Sequence, residues 1–282
     1  MIIPFNLRIL FIFCLTTLIY SCSGNLSQTI LFEDNFSRLP AGIISPAEGS
    51  FGVYHYLPGL GQAGPWKVTA FKEQPGFENA WEIVHNNDRS FLHHNYFAVD
   101  EDLNRKHPYM HSMIVAGDTI WHDYKVSFEF SPHQLLDQCG LAFKYKNDRS
   151  YYYYGMDGNR LVIKMVKHET APRRPYEVIL ASAHFNWEAD KIYKGEISIR
   201  ENKIYALMDG TTILVAEDDT YQRGKIGFIS DVPASFYNIS VTTLKREKRK
   251  ISRFQKQLTV QRSRRISENA EPVVWKKIIT EG

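Results

Sequence analysis

The sequence predicts an all-β, antiparallel fold, a sandwich or a barrel, over residues 31–244, with a short basic helix behind it. Three observations carry this. Several short runs alternate apolar and polar residues with a period of two. Turn-forming pairs sit between those runs. No stretch before residue 245 has the spacing of an amphipathic helix of useful length.

The first residues read as a targeting segment. Arg8 is a short basic start, and Ile9 to Tyr20 is an apolar run of twelve residues. A spanning helix needs about 20 such residues, so this run has the length of a signal peptide. It ends in Ile19-Tyr20-Ser21-Cys22, which resembles the lipobox of bacterial lipoproteins. That resemblance implies a signal peptide over 1–21, diacylglycerol on the Cys22 sulfur, a lipidated tether over 22–30, and a membrane-anchored lipoprotein of the bacterial cell envelope.

Within 31–244, Tyr124 to Phe130 places Tyr124, Val126, Phe128 and Phe130 on one side and Lys125, Ser127 and Glu129 on the other. Leu141, Phe143 and Tyr145 repeat the pattern, as do Leu161, Ile163 and Met165. Asp157-Gly158, Glu201-Asn202 and Asp209-Gly210 read as hairpin turns, because these residues tolerate positive φ. Lys225–Ser230 and Phe236–Thr243 supply two closing strands. Residues 40–122 are richer in Gly and Pro and are expected to decorate the scaffold with loops, where binding residues tend to lie.

Cysteine usage fits a body stabilised by its core. Cys14 lies in the leader and Cys22 is the lipidation candidate, so Cys139 has no partner for a disulfide and is expected to be a small buried hydrophobe. Net charge is +3, but ten basic residues and one acid fall between Lys245 and Arg265, which leaves the rest of the chain with a net charge of −6. Ile251, Phe254 and Leu258 follow helical spacing there, so 245–282 reads as a solvated basic linker. No nucleic-acid partner is expected.

The strand series LFEDNFS (31–37), WKV (66–68), DYKVSFEFSP (123–132), GLAFKYKNDRSYYYYGM (140–156) and GKIGFISDVPASFYNISVTT (224–243) resembles the concanavalin A-like, laminin-G-like jelly roll of exported bacterial carbohydrate-active proteins. Some of these relatives are 3-keto-disaccharide hydrolase-like. The resemblance selects a jelly-roll sandwich and implies a polysaccharide or oligosaccharide partner for an expected monomer. ENAEPVVWKKIITEG (268–282) is similar to the entry of a rhamnogalacturonan lyase-like propeller, so either the 245–282 linker leads to an absent downstream domain of a longer protein or the similarity is chance. The fold serves lectins, spacers and hydrolases alike. A glycan-binding module is the leading expectation, with a saccharide-active hydrolase or lyase, or a spacer, as alternatives.

The candidate residues follow from chemistry. Retaining glycosidases need two carboxylates about 5 Å apart. The Glu-x-Asp-x-x-Glu motif that would supply them on one strand is not found, and Asp100, Glu101 and Asp102 have the wrong spacing. In Tyr151–Tyr154 strand alternation should turn two rings outward to stack on sugars. Tyr152 and Tyr154, with Lys144, Lys146 and Arg149, are therefore the glycan-binding candidates, and the lysines would favour acidic glycans. His85, His93, His94, His107, His111, His122 and His133 read as scattered surface histidines. No cofactor is expected beyond a structural calcium. The resemblance implies one between the first and last strands, where Glu33, Asp34 and Asn238 stand, with Tyr237 at a position that relatives often give to Asp.

Overall fold

The computed structural model describes residues 27–44, 57–70, 80–95, 111–168 and 175–268. Two antiparallel sheets face each other across one core, as the sequence predicts. In chain order the strands are β1 (Gln28–Asp34), β2 (Gly42–Ile43), β3 (Leu57–Ala63), β4 (Trp66–Ala70), β5 (Trp81–His85), β6 (Ser90–His94), β7 (Ser112–Ala116), β8 (Lys125–Pro132) and β9 (Gln138–Asn147). There follow β10 (Ser150–Asp157), β11 (Arg160–His168), β12 (Pro175–His184), β13 (Tyr193–Arg200), β14 (Lys203–Met208), β15 (Thr212–Glu217), β16 (Lys225–Ser230), β17 (Ala234–Leu244) and the helix α1 (Lys245–Glu268).

Sheet A runs β15-β14-β13-β8-β17-β6-β5-β2, with β1 also paired to β17. Sheet B runs β12-β11-β10-β9-β16-β7-β4-β3. Strands β2 to β7 thus build a flank of both sheets, and the region expected only to decorate the sandwich is part of it. The three predicted turns close β10–β11, β13–β14 and β14–β15, with positive φ at Gly158, Glu201, Asp209 and Gly210.

Period-two alternation fills the core. Val126, Phe128 and Phe130 of β8 face Leu141 and Phe143 of β9 and Tyr152, Tyr154 and Met156 of β10. An aromatic column crosses between the sheets: Trp66 stacks on Phe228 (5.4 Å between centroids), and Phe228 stacks on Phe236 (4.3 Å). Each buried ring contributes about 1.5–3 kcal/mol by leaving water, and each pair about 0.5–1.5 kcal/mol more. Trp66 keeps its indole N–H satisfied on the Asp34 carboxylate (2.8 Å). Cys139 is buried, and burial pushes its thiol up to about 12, which leaves it inert as expected.

The helix corrects one expectation. Instead of a solvated linker, its first turns dock on the sandwich. Ile251 is buried, Phe254 and Leu258 pack against the core, and the Arg223 guanidinium covers the Phe254 ring at 4.1 Å. Lys248 Nζ donates to the Ile30 carbonyl (3.0 Å) and Gln255 Nε2 to Asp118 (3.0 Å). The narrow apolar stripe is a docking seam. No helix among the described residues is long and apolar enough to cross a membrane.

Candidate functional site

The tyrosine expectation fails for a physical reason. Alternation is correct: Tyr152 and Tyr154 enter the core, while Tyr151 and Tyr153 take the opposite face of sheet B. That opposite face is not wet. Met113, Val115, Ala142, Tyr145, Val162, Val166 and Ile229 form a second apolar cluster there, and Tyr151 and Tyr153 are each only 1% exposed. Gly140 and Gly155 pair across β9–β10, and the Tyr153 hydroxyl lies over the notch they leave, donating to the Met156 carbonyl. The Tyr152 hydroxyl donates to Asp218, and Tyr154 meets Phe128 edge-on. None of the four rings offers a face to a sugar.

The basic candidates fare no better. Lys144 is buried in a left-handed conformation (φ 46°), its Nζ on the Glu201 carbonyl (3.2 Å), and burial pulls its pKa down to about 8. Arg149 is buried, its backbone N–H held by Asn147 Oδ1 (3.0 Å). Lys146 alone is exposed. The bias toward acidic glycans therefore loses its basis.

Glu33, Asp34 and Asn238 do share one cavity, of about 490 Å³, with Glu129, Arg38 and Lys194. Asp34 already accepts from the Phe36 N–H (2.7 Å) and from Trp66. The amide nitrogen of Asn238 donates to Glu129 (2.8 Å). Calcium takes six to eight oxygens, and two cations on the cavity wall oppose it. The donor set does not fit the ion. His122, Asp123 and Glu247 lie at metal-ligand spacing, within 4.8 Å of one another. The ring, however, turns Nδ1 to Asp123 (3.7 Å) and Nε2 to Glu247 (3.6 Å), which is the geometry of an ion-pair staple between helix and sheet. Cys22, Asp100, Glu101, Asp102, His107, and residues 269–282 lie outside the described residues.

Among the described histidines, His85 is exposed, but His94 and His111 are not on the surface. His94 is buried against Trp81, and burial lowers its pKa to about 4. His111 stands on the far face of sheet B, its Nδ1 2.8 Å from Asp231 and its Nε2 3.5 Å from Glu177. Gln138 Nε2 lies 2.6 Å from Nδ1. Burial alone would lower the pKa of this ring, but Asp231 and Glu177 outweigh burial and raise it to about 10. Burial would likewise raise Glu177, yet His111 and Lys164 hold it down at about 2. Lys164 continues the chain to Asp157 (3.2 Å). A ring locked as a cation is a poor general base, so this cluster is an ionic brace across sheet B.

The outer face of sheet A is different. Here β5, β6, β17 and the end of β8 shape an open groove of about 780 Å³. Glu82 and Val84 of β5, Phe91 and His93 of β6, and Ser235 and Tyr237 of β17 line it. Asn86 Oδ1 accepts from the backbone N–H groups of Asp88 (3.1 Å) and Arg89 (2.8 Å), which fixes the β5–β6 turn at its rim. Register explains Tyr237. β17 carries a bulge between Phe236 and Ile239, both in the core, so Tyr237 and Asn238 are both displaced outward. The half-buried Tyr237 ring then meets Phe91 at 5.5 Å and carries the Arg89 guanidinium at 4.7 Å.

At the groove floor, Ser235 Oγ lies 2.9 Å from His133 Nε2 and 3.2 Å from His93 Nδ1. His133 Nδ1 lies 2.6 Å from Asp190 Oδ1. The backbone fixes both partners: His133 N–H donates to the Pro233 carbonyl (2.8 Å) and Asp190 N–H to the Pro132 carbonyl (2.8 Å). Burial lowers the pKa of His93 against the pull of Glu82. Sequence reading missed Arg89, Phe91, Ser235 and Asp190, and took Tyr237 only as the residue standing where relatives often carry Asp. The signal available was the alternation in Ser90–His94 and Ala234–Tyr237, which puts Phe91 with His93 and Ser235 on a sheet face.

No protein-family model matches the chain, and no curated protein matches it. Among solved structures it is similar to a carbohydrate-binding module, CBM66 from Bacillus subtilis, at 13% identity and a TM-score of 0.45, covering 64% of this chain and 96% of that one. It is also similar to domain 4 of AbnA, a GH43 extracellular arabinanase from Geobacillus stearothermophilus solved with arabinotriose, at 14% identity and a TM-score of 0.41, covering 64% and 82%. A third is a GH16 protein of a Bacteroides ovatus mixed-linkage glucan locus, at 11% identity and a TM-score of 0.42, covering 76% and 99%. At these scores the likeness is one of outline, and no residue is transferred from it.

Proposed function

We propose that the protein is a glycan-binding module of an exported, lipid-anchored protein, and that it binds through the groove on sheet A. One observation carries this reading: a half-buried aromatic pair, Phe91 and Tyr237, stands in an open groove beside Arg89, Asn86, Asp88 and Glu82. A sugar ring has an apolar C–H face and an equatorial belt of hydroxyls. The first suits an aromatic platform and the second suits planar polar side chains held by their own contacts. The groove volume lies within the range of small-molecule sites. Its charges are mixed, with two carboxylates and one guanidinium, so the reading favours neutral glycans over acidic ones.

The test is titration of neutral oligosaccharides against wild type and Tyr237→Ala. By analogy with base stacking, the ring contact is worth about 1 kcal/mol, or a loss of about fivefold. Binding is expected in the millimolar to high micromolar range, about −4 to −6 kcal/mol. A folded Tyr237→Ala protein that binds like wild type removes this groove from the reading. The anchor is tested separately: Cys22→Ala should release the protein from membranes, because the acyl chains supply about 0.8 kcal/mol per buried methylene. Continued membrane association of that variant, with its leader processed, refutes the lipid anchor.

A further inference from the structure

We propose that the floor of the sheet A groove is a hydrolytic centre in which Ser235 is the nucleophile, His133 its base and Asp190 the group that positions His133, acting on short-chain acyl esters. The nature of the alcohol, a sugar hydroxyl, rests on the glycan reading above; the chemistry at Ser235 does not.

The hydrogen-bond chain assigns the protons. Asp190 accepts from His133 Nδ1 at 2.6 Å, which places the ring proton on Nδ1 and leaves Nε2 with its lone pair. Ser235 Oγ–H, 2.9 Å away, then donates to Nε2. In this assignment His93 Nδ1, 3.2 Å from the same oxygen, takes the donor role. The hydroxyl is thus aligned for proton loss to one imidazole and steadied by another. The elements that bring the three together are far apart in sequence: β17, the end of β8, and the turn before β13.

A fourth group lies beneath the floor, beside Ser235. Ser131 pairs directly with Ser235 across β8–β17, so the two side chains share a sheet face. Its hydroxyl is buried and has no hydrogen-bond partner. A buried unpartnered O–H is a poor structural feature and a ready donor to an oxyanion formed beside Ser235. Asp190 has φ 63°, a conformation that Asn also tolerates, so its carboxylate can be removed without disturbing the turn.

The reaction balances with the ester and one water. Ser235 Oγ attacks the carbonyl carbon as its proton passes to His133 Nε2. The C–O bond to the alcohol breaks, and the alkoxide takes that proton. Water then loses a proton to Nε2 and attacks the acyl-serine, releasing the carboxylic acid and restoring Ser235 O–H. Ser235 is nearly buried between two imidazoles, so only a small acyl group reaches it.

The experiment uses the full chain and needs no glycan. A fluorophosphonate reagent should phosphonylate Ser235 with loss of fluoride, read by peptide mass spectrometry, and p-nitrophenyl acetate should be hydrolysed. Ser235→Ala should abolish both, and His133→Gln should lower kcat about 100-fold or more. Ser131→Ala should cost about 100-fold in kcat, the low end of losing one oxyanion donor. The Asp190 carboxylate is 77% exposed, so water screens its hold on the ring. Asp190→Asn should therefore lower kcat by about tenfold with KM unchanged, and Asp190→Glu should recover part of it, which a merely structural role would not produce. Wild-type protein that takes no label at Ser235 and hydrolyses no ester overturns the proposal. So does a folded Ser235→Ala protein that hydrolyses the ester at the wild-type rate. Because neither readout involves sugar, this centre can fail while the groove still binds glycan, and the reverse.

Discussion

His111 on sheet B and His133 on sheet A are built from the same parts and do opposite things. Each ring meets a carboxylate through Nδ1, Asp231 at 2.8 Å and Asp190 at 2.6 Å. What differs is the other nitrogen and the surroundings. His111 Nε2 faces a second carboxylate, Glu177, in a buried setting. Two anions and little water fix the ring as a cation, and nothing remains for it to do but hold strands together. His133 Nε2 faces a hydroxyl, Ser235, and the ring is 29% exposed at a groove. With one carboxylate on Nδ1 and a hydroxyl 2.9 Å from Nε2, this ring is placed for the proton transfer proposed above. An acid beside a histidine is therefore no evidence of chemistry until the far nitrogen is accounted for.

This comparison can be broken most sharply by deleting the rings. His111→Ala leaves Asp231 buried without its cation, while Glu177 keeps Lys164 at 3.4 Å, and removal of one partner from such a buried pair costs about 3–5 kcal/mol. His133→Ala breaks a solvent-screened pair and should cost about 1 kcal/mol or less. Urea denaturation of both variants checks this. Equal losses would mean that both clusters are braces.

A smaller effect sharpens it. Folding raises the pKa of His111 from 6.5 to about 10, so its share of stability is complete below pH 6.5 and is lost as pH rises through about 10. Folding lowers Glu177 from 4.5 to about 2, so that share is complete above pH 4.5 and is lost as pH falls through about 2. The brace is at full strength between pH 4.5 and 6.5. The stability difference between wild type and His111→Gln should be largest near pH about 5.5 and shrink steadily toward about 9.5. Thermal unfolding across that range checks it, and a difference that grows with pH refutes the assignment of His111 as a buried cation.

The sequence by itself determined the local elements. Period-two runs such as Tyr124–Phe130 became strands with the predicted faces, since side-chain alternation is a property of the extended backbone alone. Asp157-Gly158 and Asp209-Gly210 became turns, since only a few residues accept positive φ. The apolar stripe Ile251-Phe254-Leu258 became the inner face of a helix. The strand β12 went unread, because its alternation PYEVILASAH is weak. Only the tertiary structure decided what each face meets. The Tyr151–Tyr154 run has a core side and an outer side in any sheet, but local pattern says nothing of a second apolar cluster on the outer one. Likewise Ser235, His93, His133 and Asp190 are ordinary residues in their own segments. They meet because β17 pairs with β6 on one edge and β8 on the other, a register set by closure of the whole sheet and by a bulge that lets Phe236 and Ile239 both reach the core. Pairing between strands more than a hundred residues apart is fixed by packing of the entire sandwich, and no local run of residues encodes it.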